Sequence, residues 1–168
     1  MVGTLIFIFY YITSFSVLLF VGYGFIALAA LVNIIVFFRI LLKAYSDKIN
    51  RNQLLRTCGL MLLNIPVVAI YFGATLTLLN VMRIELTNST QTLLTDVNII
   101  GCGGGQIEKM EAGQSKTVWV KITRDCLLSI DYLSQGQRKN ETVSGYVTSG
   151  MGQKIKHSID GKNKEYFY

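Results

Sequence analysis

The chain reads as an α-helical transmembrane hairpin followed by an all-β C-terminal domain, a sandwich of about seven short strands. Three observations predict this. Charged residues make up only 15% of the 168 positions and hydrophobic ones 51%, where a soluble domain carries about 25% charge. The charge is also segregated: residues 1–38 and 57–82 contain no Asp, Glu, Lys or Arg. Beyond residue 82 the long apolar runs give way to short alternating segments separated by Gly, Asn and Ser turns. The expected division is a membrane domain over residues 1–82, with two or three spans, and a soluble β-domain over residues 83–168.

Crossing about 30 Å of hydrocarbon takes about 20 apolar residues in a helix. Residues 57–82 supply one span. Pro66 lies inside it, removes a backbone donor and predicts a kink, which neighbouring helices can accommodate. Residues 4–38 are too many for one straight span, and two layouts fit. A single tilted helix can run from about Ser16 to about Leu42 after an interfacial start, or two short spans can fold back at Gly22-Tyr23-Gly24. The first is preferred, because a tight turn between spans leaves backbone polar groups facing lipid. Ala27-Leu28-Ala29 has the spacing of a signal-peptide cleavage site, but there is no basic segment before it and the apolar run continues past it.

Between the apolar stretches stand Arg39, Lys43, Lys48, Arg51 and Arg56, against the single acid Asp47. Short positive loops stay in the cytoplasm. The loop at 39–56 is therefore expected inside an inner or plasma membrane and the β-domain outside the cytoplasm, in the periplasm of a Gram-negative host. The formal charge of +6 is concentrated in this loop, so it gives no reason to expect a DNA partner. Asn33, Asn64, Thr75, Thr77 and Asn80 lie within the apolar stretches. They suit interhelical hydrogen bonds or homo-oligomer packing through the Asn33 and Asn64 faces, at about 1 kcal/mol each; the competing use is to line a pore. No ionisable group interrupts either span, so a proton relay has no basis in the sequence.

The β-domain is expected to use strands at 81–86, 94–100, 106–110, 117–123, 126–132, 141–148 and 154–159. Asn88-Ser89-Thr90, the glycines of 101–105, the segment 111–115 and the polar run 134–140 are expected turns. In the fourth strand Val118, Val120 and Ile122 point one way, leaving Trp119 and Lys121 on the other face. In the fifth, Leu128, Ile130 and Tyr132 share a face.

The succession of Asn88, Asp96, Val97, Ile99, Met110, Gly113, Ser115, Val118 and Val120 resembles small bacterial immunoglobulin-like domains, over about a quarter of the chain. Ala112 stands where that pattern has Pro, and the Gly-rich cluster is foreign to it. The resemblance implies an immunoglobulin-like sandwich and is silent on function, since this architecture hosts many roles.

Cys102 and Cys126 are the two cysteines of the β-domain. An even count in an oxidising compartment predicts a bridge between them; the alternative is two buried thiols. Cys58 suits a buried apolar position. Two Cys and the lone His157, without a CxxC pair, do not make a zinc site. The Gly-rich cluster lacks the GK[ST] ending of a phosphate loop. His157 with Ser158 and Asp160 does not amount to a catalytic triad, and most histidines so placed face solvent. Trp119, Lys121, Lys154, Lys156 and His157 form the candidate partner or ligand surface. Trp119 suits a partner-binding or membrane-interface anchor, or packs under a second sheet or neighbouring loop. The basic tail of Lys154, Lys156, Lys162 and Lys164 suits an anion or phospholipid headgroup, or a solvated face. The sequons at Asn88 and Asn140 have meaning only in a eukaryotic host.

With no catalytic constellation, the expected function is non-enzymatic and cofactor-free. A membrane anchor displays a β-domain that binds a protein partner, as accessory subunit, envelope sensor or immunity factor. The alternative rests on layout alone. The chain is similar to small bacterial antiviral defence proteins that join about two membrane helices to a β-rich cyclic-nucleotide sensor. That mechanism needs a cytoplasmic sensor, contrary to the loop charge.

Overall fold

The structure is a computed structural model and describes residues 2–161; Lys162 and Lys164 of the basic tail lie outside them. The described residues form four helices and seven strands. The chain divides into two compact units, with the break between Thr75 and Leu76.

The first unit holds α1 (Val2–Thr13), α2 (Val17–Ser46), α3 (Arg51–Leu62) and most of α4 (Asn64–Leu79). Of the two layouts for the first stretch, the single long helix is the one formed. α2 continues unbroken through Gly22-Tyr23-Gly24, and the chain folds back earlier, where Ser14 takes a left-handed φ of 53°. Gly22, with Gly3 of α1, lies where the two helices pack, while Gly24 faces open space. A side-chain carbon at Gly3 would meet the Phe25 ring at 3.2 Å, and one at Gly22 would meet Ile6 at 3.5 Å. α1 thus lies antiparallel on the first half of α2, with small residues at the closest approach. It is about 18 Å long, too short to cross a bilayer. Its Thr4 and Phe7 meet Tyr71 of α4, through a hydroxyl contact of 3.2 Å and an edge-on ring contact of 5.3 Å.

α3 and α4 are one rod interrupted at Leu63. The interruption falls three residues before Pro66, which has no N–H for the Leu62 carbonyl. The Leu63 N–H instead turns back tightly to the Leu60 oxygen at 3.2 Å. α2 and the rod Arg51–Leu79, with mean hydropathies of 2.6 and 1.9, are long and apolar enough to cross a membrane. Asp47, the one acid of the loop between them, accepts backbone bonds from Ile49 and Asn50. Hydrogen bonds from Asn50 hold its carboxyl below the usual range.

The second unit begins with the last turn of α4. Its strands are β1 (Val81–Asn88), β2 (Leu94–Ile100), β3 (Gly105–Met110), β4 (Ser115–Lys121), β5 (Cys126–Ser134), β6 (Gln137–Val147) and β7 (Lys154–Ile159). They form a three-stranded sheet in the order β4-β1-β7 and a four-stranded sheet in the order β3-β2-β5-β6. Every pairing is antiparallel except β1 with β7. One apolar cluster is drawn from both sheets. Met82, Ile84 and Leu86 of β1, Val120 of β4 and Ile155 of β7 meet Val97, Leu128, Ile130 and Tyr132 from the other sheet. Full burial of an aliphatic side chain of this kind contributes about 1.5–3 kcal/mol.

The likeness to an immunoglobulin domain extends to two sheets around one core and stops at strand order. In the constant-type order the first, second, fourth and fifth strands share a sheet. Here the first lies between the fourth and the seventh.

One expected turn is shorter than its composition implies. The run 134–140 contains only a two-residue turn, Gln135-Gly136, with φ of 51° and 76°. Both values are positive, as a tight hairpin of matching twist requires. The polar residues after it belong to β6, whose outward side chains need no apolar alternation. In β2, Asp96 takes a φ of 51° beside a register shift between Thr95 and Asn98, a bulge that no apolar pattern marks.

Candidate binding face

The register of the β4-β1-β7 sheet decides which side chains share its outer face. Arg83 pairs with Trp119 on one side and Lys154 on the other. One row further on, Glu85 lies between Thr117 and Lys156, and Val81 pairs with Lys121. Trp119, Lys121, Lys154 and Lys156 therefore lie on one face, with Arg83 and Glu85 at its centre. Trp119 is 51% exposed, and the Arg83 guanidinium carbon is 6.0 Å from its ring centroid, within cation–π range. Glu85 reaches the Lys154 ammonium at 3.2 Å and that of Lys156 at 3.8 Å. Such exposed pairs contribute about 0–1 kcal/mol, so they orient the lysines more than they stabilise the sheet. Arg83 itself is buried, at 3% exposure, so the face presents Trp119 and the side chains of Lys121, Lys154 and Lys156 around one carboxylate, an arrangement suited to a negatively charged partner.

His157 is a correction to the expected surface. It lies on the opposite side of β7 and is 6% exposed. The strand period explains this: Ile155, His157 and Ile159 alternate with Lys154, Lys156 and Ser158, and the apolar pair takes His157 inward. Its Nε2 is 3.1 Å from Glu141 Oε2. Glu141 also accepts the Tyr132 hydroxyl at 2.5 Å and the Asp160 N–H at 2.9 Å. Burial, and then Glu141, push the Tyr132 phenol above its ordinary range, so it stays a donor. The Asp160 carboxylate turns away to Lys139, at 3.1 Å. The arrangement is a polar tie between sheets, and His157 contacts Glu141 where a triad would need Asp160.

Cys102 and Cys126 stand at disulfide distance with Cα atoms 5.4 Å apart, a normal span for a bridge. Together they pin the turn after β2 to the start of β5. The Gly-rich cluster is closed on itself: the Gly103 N–H donates to the Lys121 oxygen at 2.8 Å and the Gly104 N–H to the Gly101 oxygen at 2.9 Å. Amides spent this way do not cradle a phosphate. Asn88, of the first sequon, is fully buried and donates to the Thr92 and Met110 carbonyls, which suits a turn brace and not a glycan acceptor. Among the described residues no group of three His, Cys, Asp or Glu is placed to hold a metal.

In the helical unit, a cavity of about 360 Å³ opens between α1, α2 and α4, lined in part by Thr4, Tyr10, Asn33, Asn64, Tyr71 and Thr75. Asn33 and Asn64, the two whose faces suggest homo-oligomer packing, both line this space. The Asn33 amide donates within its own helix, to the Ala29 oxygen at 2.7 Å.

Sequence reasoning missed Arg83, Glu85, Tyr132 and Glu141 as members of these groups. Period-two alternation in β1 carried a signal for the first two. The tie through Glu141 depends on which strands face each other, and no local pattern encodes that. Compared with family models, with curated proteins and with solved structures, the chain has no match.

Proposed function

We propose that the chain is a membrane-anchored, non-enzymatic interaction protein. Its long helices cross an inner or plasma membrane, its β-domain stands outside the cytoplasm, and the outer face of the β4-β1-β7 sheet binds a negatively charged partner. The observation that carries this reading is the exposure of the helices. Of the most apolar 18 residues, none is buried in α2 and 6% are buried in Arg51–Leu79. A core helix of a soluble protein buries that surface, and monomers in water rarely expose continuous apolar patches above a few hundred Å². Phe20, Leu28 and Ile70, each more than three-fifths exposed, suit lipid instead.

Two features support the outward side. The five cations between the helices favour a cytoplasmic loop, and paired Cys102 and Cys126 suit an oxidising compartment. The half-exposed Trp119 beside Lys121 and Lys154 supports binding, because Trp is among the residues most often central to interfaces. Accessory subunit, envelope sensor and immunity factor all fit this description. A cytoplasmic cyclic-nucleotide sensor fits less well, since the glycine-cluster amides are spent and the cysteines are paired. Alkaline carbonate washing of membranes from expressing cells tests the anchor. The chain should remain in the pellet; release into the supernatant counts against the proposal.

A further inference from the structure

The β-unit has two unlike ends, and the difference points to what the face binds. The chain enters the unit through residues 76–80, and this entry is stitched to the loops that follow β4 and β6. The Leu79 oxygen accepts the Gly152 N–H at 2.8 Å, the Asn80 oxygen accepts the Ile122 N–H at 2.9 Å, and Asn80 Oδ1 accepts the Ser149 hydroxyl at 2.5 Å. The Gly103 bond to Lys121 brings the turn after β2 to the same end. Around this end stand Ile100, Trp119, Leu127 and Tyr146, all about half exposed. Leu93 is the one comparably exposed large apolar side chain in the strands and loops described beyond Val81, and it lies at the far end.

The charges divide in the same way. Among the described residues, the exposed Lys121 and Arg124 and the half-buried Lys154 gather at the entry end, where Asp125 accepts the hydroxyls of Tyr146 and Thr148. Glu85, one row beyond, reaches Lys154. At the far end cations and carboxylates match: Arg138 meets Asp96 at 2.7 Å and Lys139 meets Asp160 at 3.1 Å.

We propose that the entry end is a docking collar for anionic phospholipid headgroups of the bilayer that holds the helices. This rests on the membrane reading above and names the partner of the same face. The chain runs without a break from the apolar helix that ends at Leu79 into β1 at Val81, so this end of the unit is the one tethered to the span. Indole rings and cations are the groups that anchor a protein at a membrane surface. An exposed Tyr and Trp with aliphatic neighbours suit the boundary between headgroup and acyl chain, and clustered Lys and Arg suit anionic lipid.

Trp119 is the only tryptophan, so its fluorescence reports on this collar directly. The full chain is reconstituted into phosphatidylcholine vesicles with and without phosphatidylglycerol, each containing lipid brominated near the headgroup end of its acyl chains. In the anionic vesicles Trp119 emission should shift to shorter wavelength and be quenched. The quenching should be lost in concentrated salt and in the triple variant Lys121→Gln, Arg124→Gln, Lys154→Gln. Unquenched emission in both vesicles overturns the collar. Equal quenching in both, indifferent to salt and to the triple variant, overturns its preference for anionic lipid. Carbonate extraction of the same vesicles separates the two levels: a chain that resists extraction but shows no quenching refutes the collar alone, whereas a released chain refutes the membrane reading beneath it.

Discussion

The Glu141 carboxylate on β6 meets the His157 imidazole on β7 at 3.1 Å, and so links a strand of each sheet through a mostly buried polar contact. The same carboxylate holds the buried Tyr132 hydroxyl and the Asp160 N–H. Hydrogen bonds to a charged group contribute about 1.5–3 kcal/mol each, and orphaning a buried partner costs a similar amount. Glu141→Ala should therefore destabilise the β-domain by at least about 2 kcal/mol, and Glu141→Gln by less. Urea midpoints of the full chain in detergent, followed through Trp119, check this; equal midpoints for wild type and Glu141→Ala would refute the tie.

Tyr132 sets an alkaline limit. Burial and Glu141 raise its phenol above the ordinary value of about 10. A group raised in the folded state contributes stability that is fully present below its unfolded pKa and declines as pH rises beyond it. The domain should thus weaken from about pH 10 upward. Tyr132→Phe should lower stability at neutral pH and flatten that alkaline decline. Denaturation midpoints on either side of pH 10 measure both effects.

Asp125 sets an acid limit at the other extreme. Hydroxyls of Thr148 and then Tyr146 hold its carboxyl below 3.8. Its contribution is present above that value and lost as pH falls through the lower folded pKa. Asp125→Asn should shallow the acid decline of the midpoint while leaving the alkaline decline unchanged.

The bridge between Cys102 and Cys126 closes a loop with a sequence separation of 24. Loop-closure entropy puts its contribution at about 3 kcal/mol. Adding reductant, or substituting both cysteines by Ser, should lower the urea midpoint by the same amount. A reductant effect that persists in the double Ser variant would assign it elsewhere.

Gly152 has no room for a side chain. A Cβ there would lie 2.2 Å from the Leu78 oxygen and 2.6 Å from the Leu79 carbonyl carbon, both backbone atoms that cannot rotate aside. Gly152→Ala should cost about 1–3 kcal/mol and detach the turn before β7 from the chain entry. Gly145→Ala, with nothing within 4 Å of its Cβ position, is the control and should lie within about 0.5 kcal/mol of wild type. Thermal midpoints compare the two.

The strands were legible in the sequence wherever one face is buried. Leu128, Ile130 and Tyr132 alternate with more exposed neighbours and are all at 0% exposure. The first half of β6 was not legible, because its polar residues face outward and look like a loop. Pro66 was read correctly as a disturbance of the helix, and the break falls at Leu63 because the missing donor is felt one turn earlier. Gly22-Tyr23-Gly24 offers a turn that the preferred single helix does not use, and Gly22 packs against Ile6 of α1 while Gly24 faces open space. The polar neighbours Lys156 and Ser158 suggest a solvent-facing His157, although Ile155 and Ile159 at the strand period point it inward. Sheet order, and with it the gathering of Trp119, Arg83 and Lys154 in one row, depends on long-range pairing that no local pattern carries.

The most direct measurement is the side of the membrane on which the chain ends. A short epitope fused after Tyr168 is exposed to protease in intact spheroplasts and, separately, after lysis. A β-domain standing outside the cytoplasm gives up the epitope before lysis. An epitope protected until lysis would place the domain in the cytoplasm and contradict the account.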